Sequence, residues 1–189
     1  MGAAALSAFA ALFVSTGPRV SGYAEGAPPG FSGGFNEQSC HACHFHEDLD
    51  SGPGRVTIAG VPERFAAGER YPLTVTLTRP GMKLAGFQLT ARFKDGGAQA
   101  GTLGPGPEDE ARVGIDVQDG VQYANQRRQG SEATTPDAAR WSLVWTAPET
   151  GAPVVFHASA NAANGDETAE GDYVHTTVVD VVPDRQGPP

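Results

Sequence analysis

The chain has 189 residues, 39% of them hydrophobic, which is enough for one folded domain with a real core plus tails. Its net charge of −9, from 22 acidic against 13 basic residues, argues against nucleic-acid binding, which calls for the opposite sign. The 25 glycines and 15 prolines disfavour long helices and favour short strands joined by turns.

Residues 3–14, AAALSAFAALFV, form an apolar run too short to span a bilayer comfortably, and Gly22-Tyr23-Ala24 has the small-x-small form of a cleavage site. Residues 1–24 therefore read as a signal peptide, cut after Ala24, and the protein as exported to the periplasm, the cell surface or the medium. No Lys or Arg precedes the apolar run, so an uncleaved N-terminal anchor is the alternative. It would be the chain's one contact with a membrane.

Residues 25–54 read as an extended, Gly-rich lead-in that carries a cysteine motif and ends in a turn. Strands are expected from residue 55 onward. Residues 55–59 make a short one. Residues 71–78 and 86–93 alternate strictly between apolar and polar, the second with Phe87, Leu89, Ala91 and Phe93 inward. Residues 94–111 form a long loop with one short strand at most. Residues 113–117 and 121–124 pair across Gln118-Asp119-Gly120, a hairpin signal. Residues 140–146 put Trp141, Leu143 and Trp145 on one face. Residues 154–161 do the same with Val154, Phe156, Ala158 and Ala160, and residues 173–182 make the last strand. About eight strands with regular turns predict an all-β chain, an antiparallel β-sandwich over residues 55–182, with a frayed polar tail at 183–189.

The two cysteines stand three positions apart in Cys40-His41-Ala42-Cys43-His44. This is the C-x-x-C-H pattern of covalent haem attachment, which predicts one haem c. Two thiols on one short turn reach the two vinyl groups of one porphyrin edge, and the next residue, His44, becomes the proximal iron ligand. A redox pair would sit in a βαβ context, and a zinc site would need two more ligands, with His46, His157 or His175 as candidates.

Met82, in the turn Arg79-Pro80-Gly81-Met82-Lys83, is the first choice for the distal iron ligand, followed by His157 and then His175. An open sixth position would favour gas binding or catalysis. His41 lies inside the motif, pointing away from iron, and His46 is too close in sequence to reach the far side. The loop NAANGDETAEGD, residues 161–172, is rich enough in oxygens to raise the question of Ca²⁺. The spacing is not that of an EF-hand, and an Asn/Asp turn that satisfies itself is the favoured explanation.

The segments 40–44, 86–91, Trp141 with 145–148, 161–166 and 171–173 resemble the bacterial reelin-like proteins called choice-of-anchor V domain proteins, several of which carry C-x-x-C-H near the mature N-terminus. The resemblance implies an exported immunoglobulin-like β-sandwich displayed on varied anchors. This chain departs from it in showing no C-terminal anchor, and in having Gln126 in Tyr123-Ala124-Asn125-Gln126, where relatives often carry histidine. The combined expectation is an exported monohaem c-type cytochrome that passes electrons to or from a partner protein or a membrane-bound complex, with no catalytic residues. The alternative is a reelin-like binding or adhesion module with a structural haem or none.

Overall fold

Period-two alternation commits each strand to one buried face, and burial of those faces against each other yields two packed sheets. The computed structural model describes residues 23–149 and 151–185. The expected signal peptide, apart from Tyr23 and Ala24, and the tail from residue 186 lie outside the described residues.

The strands are β1 (Arg55–Ala59), β2 (Arg64–Phe65), β3 (Arg70–Thr78), β4 (Leu84–Phe93), β5 (Thr102–Pro105), β6 (Val113–Gln118), β7 (Val121–Gln126), β8 (Ala138–Thr146), β9 (Val154–Ala163) and β10 (Tyr173–Pro183). One sheet has the order β1-β3-β8-β5 and the other β2-β10-β9-β4-β7-β6. Every named pairing is antiparallel except β2 with β10. The chain is thus an all-β two-sheet sandwich. The two-residue strand β2 carries no periodicity and is not legible in the sequence.

The facing aromatics lie where alternation puts them. Trp141, Leu143 and Trp145 of β8 are fully buried against Phe87 and Leu89 of β4 and Phe156 of β9. Trp145 meets Phe65 and Phe156 edge-on at 5.4 and 5.0 Å, and Trp141 lies 4.5 Å from Phe87. Both indole N–H groups donate to backbone carbonyls, of Gly130 at 2.8 Å and Ala100 at 3.0 Å, so neither Trp buries an unpaired donor. β6 and β7 turn on Asp119-Gly120, both with positive φ (52° and 78°), the twist a two-residue hairpin requires.

The lead-in is not a free extension. Residues 23–50 lie along the outer face of the six-stranded sheet and bury it. Gln88 and Thr90 point to that face, yet both are fully buried. The Phe31 N–H donates to Gln88 Oε1 at 2.5 Å, and Gln88 Nε2 donates to the Pro28 carbonyl at 2.8 Å. The Cys40 N–H donates to Ser159 Oγ at 3.0 Å. Glu37 accepts from Arg92 at 2.5 Å, Tyr123 Oη at 2.6 Å and Ser32 Oγ at 2.7 Å. Asp50 accepts from the Thr176 N–H and hydroxyl at 2.6 and 2.8 Å. Polar side chains that alternation assigns to solvent are therefore the docking points of the N-terminal segment.

Candidate functional site

Cys40–Ala42 forms a single 3-10 turn whose start is capped by Ser39, the Oγ of which accepts from the His41 N–H. The turn sits against the ends of β9 and β10. Cys40 and Cys43 are not joined by a disulfide. Burial pushes the Cys40 thiol up to about 11, so it stays protonated at neutral pH, unlike the activated thiol of a redox pair.

His44 Nδ1 lies 2.7 Å from Asp172 Oδ2, and that carboxylate is 1% exposed. Asp172 also accepts from Asn161 Nδ2 at 3.4 Å and from the Asn164 N–H at 3.1 Å. A buried carboxylate with several donors fixes the imidazole's orientation, and Asn161 Nδ2 also lies 3.1 Å from His44 Nδ1. Nε2 has no hydrogen-bond partner among the described residues.

Cys40, Cys43 and His44 together line one pocket of about 210 Å³. Its other walls come from the lead-in (Tyr23, Ala24, Ala27, Pro28, Phe31) and from the sandwich (Leu84 to Phe87, Gln126, Ser131, Asn161, Ala163). The lining is mainly apolar. At the polar end Asn161 is 7% exposed, and its Oδ1 has no partner. Gln126 is part of this wall, but its amide is engaged at both ends. Oε1 accepts from the Phe87 N–H at 2.9 Å, and Nε2 donates to the Tyr23 carbonyl at 3.2 Å.

The three candidates for a distal ligand lie outside the pocket lining. Met82 is 5% exposed and packs into the hydrophobic core. Its turn points inward because the apolar thioether is stabilised there and no polar group competes for it. His157 faces outward on β9, but under Phe35, 5.3 Å away edge-on. His175 is 2% exposed, against Gly54. His46 is exposed and 3.4 Å from Glu47, while His41 Nε2 pairs with the Glu47 carbonyl at 2.9 Å. The loop of residues 161–172 closes on itself: the Asp166 N–H donates to Asn164 Oδ1 at 3.0 Å, and the Thr168 N–H and hydroxyl to Asp166 Oδ1 at 2.9 and 2.8 Å.

The expectation of an electron-carrying cytochrome, with iron held between His44 and a second ligand from the sandwich, is therefore corrected. Met82, His157 and His175 do not reach the His44 pocket, and among the described residues no group of three or more His, Cys, Asp or Glu side chains is placed to hold a metal ion. The structural roles of Asp172, Asn161 and Gln126 escaped the sequence reading. The pointers in the sequence are the oxygen-rich loop 161–172, which contains Asn161 and Asp172, and Gln126, singled out as a departure from the resembling proteins.

Fold and site together define a two-sheet β-sandwich with an N-terminal cysteine segment folded over one sheet. The sequence matches no protein-family model and no curated protein. Among solved structures it is similar to the human F-spondin reeler domain, with TM-score 0.45 and 19% identity over 71% of this chain and 92% of that one. A second structure, the Reelin-N domain of F-spondin, gives TM-score 0.45 and 17% identity over 74% and 92%. A cohesin module from a Clostridium perfringens family 33 glycoside hydrolase gives 0.46 and 11% over 69% and 96%.

Proposed function

We propose that this chain is an exported, reelin-like binding module whose recognition site is the apolar pocket between the lead-in and the six-stranded sheet. The observation that carries this reading is the pocket's construction. The sandwich supplies one wall, a separately pinned segment supplies the other, and the lining is apolar with a polar end at Asn161. Exposed Leu84 extends its apolar rim.

Ala163, half-buried on the wall, offers the test. Titration of the chain, produced without haem-attachment machinery, with 1-anilinonaphthalene-8-sulfonate is expected to show one site. Ala163→Trp, which fills the pocket, is expected to weaken it at least tenfold without lowering the melting temperature. Unchanged affinity in the filled variant would place the binding elsewhere.

A second reading concerns what the cysteine segment holds. Both thiols and His44 line the same apolar pocket, and Asp172 holds Nδ1 so that Nε2 is the uncommitted nitrogen. These residues would hold a covalent haem c, Cys40 and Cys43 through thioether bonds and His44 through Nε2, with Asp172 positioning the His44 ring. Bound there, haem would supply a fixed, flat apolar wall to the binding module, a structural part and not an electron carrier. Protein exported with haem-attachment machinery is then expected to show reduced bands that survive denaturation and that disappear in the Cys40→Ala/Cys43→Ala variant. Correctly exported protein without those bands would remove this reading and leave the pocket proposal intact.

A further inference from the structure

Two histidines are each covered by a glycine of the segment around the cysteines: His157 on the outer face of β9, beneath the lead-in, and His175 on the inner face of β10, in register with Ala160, at the sandwich edge where the segment passes into β1. A Cβ on Gly34 would come 2.3 Å from the His157 ring, and one on Gly54 would come 2.6 Å from His175 Nε2. His157 Nδ1 and His175 Nε2 are both buried with no hydrogen-bond partner. Each ring is thus accommodated as the neutral form, since a protonated imidazole carries two N–H donors and needs an acceptor at each. The closures over these rings flank residues 40–44 in sequence.

We propose that residues 31–54 form an acid-released clamp: in mild acid His157 and His175 gain protons, the segment comes away from the outer face of the six-stranded sheet at Gly34 and from the sandwich edge at Gly54, and the pocket at Cys40–His44 opens.

The surrounding charges were weighed from every packed element. His157 faces Arg92 on β4, Glu37 on the segment and Asp180 on β10. His175 faces Asp50 on the segment and Arg79 in the turn before β4. The carboxylates that favour the cations are already engaged, Glu37 by Arg92, Tyr123 and Ser32, Asp50 by Thr176, and Asp180 by Lys94 at 3.1 Å. Burial, with Arg92 and Arg79 adding to it, holds both imidazoles below their ordinary value of 6.5. The released state therefore binds more protons than the clamped one. The clamp is at full strength above the ordinary histidine value and weakens as pH falls below it toward the depressed value. Lifting the segment also exposes the outer-face groups Gln88 and Ser159 to water, which can replace their hydrogen bonds.

Hydrogen exchange of the full chain at pH 7 and pH 5, corrected for the intrinsic rate, tests this. Protection of residues 33–54 is expected to fall at least tenfold at pH 5, while β3 and β8 keep theirs. The fall should vanish in His157→Gln/His175→Gln. Equal protection of the segment at the two pH values in the unmodified chain would overturn the proposal. So would a matching loss in β3 and β8, which would mean global unfolding, or a persistent fall in the double variant.

Discussion

Asp172→Ala is expected to destabilise the fold by about 2–4 kcal/mol, because it removes the acceptor that three groups share around a buried site. The carboxylate is 1% exposed and accepts from His44 Nδ1, Asn161 Nδ2 and the Asn164 N–H. Truncation to a methyl leaves the Asn164 N–H without an acceptor, leaves the Asn161 amide with only His44 Nδ1, 3.1 Å away, and frees the His44 ring. In a chain of this size the loss corresponds to a fall of about 10 °C in melting temperature. Asp172→Asn keeps the volume and one acceptor oxygen, so it should recover part of the loss. Thermal unfolding of the two variants beside the unmodified chain gives the reading, and an unchanged transition in Asp172→Ala would show that the site is not held by this carboxylate.

Glu37→Ala should cost about 2–4 kcal/mol, but with a local signature. Glu37 is the shared acceptor for Arg92, Tyr123 and Ser32, the first two reaching it from the six-stranded sheet. Burial, with the Glu37 carboxylate beside it, holds the Tyr123 hydroxyl above its ordinary range, so Tyr123 remains a donor throughout the accessible pH range. Without the acceptor, the phenol is left unpaired and the guanidinium keeps only the Gly97 carbonyl, and the lead-in loses its strongest pin. Chymotrypsin is then expected to cut at Phe31 or Phe35 at least tenfold faster, well before it cuts in the sandwich. Equal rates would mean that the lead-in is held by something else.

Most of the fold is legible in the alternation of β3, β4, β8 and β9, because hydrophobic burial acts directly on period-two patterns. Phe87, Leu89 and Ala91 face inward as their spacing predicts. What alternation does not report is the second covering of β4. Gln88 and Thr90 look solvent-facing in the sequence, and they are buried because a glycine-rich segment without periodicity lies over them. The candidate site divides in the same way. Cys40, Cys43 and His44 announce themselves by local spacing. Asp172, Asn161 and Gln126 join them only through sheet register and long-range hydrogen bonds, which no local pattern encodes. Nothing in Arg79-Pro80-Gly81-Met82-Lys83 says which way the Met82 side chain turns, and packing sends it into the core.

The central claim is that recognition happens in the pocket built jointly by the lead-in and the sheet. Amide chemical-shift mapping tests it most directly, on the chain made without haem-attachment machinery and titrated with 1-anilinonaphthalene-8-sulfonate. The account predicts that the shifts concentrate at Phe31, Cys43, Gly86, Phe87, Gln126 and Asn161, all on the pocket wall. Shifts centred on the four-stranded sheet, with these six amides unmoved, would contradict it.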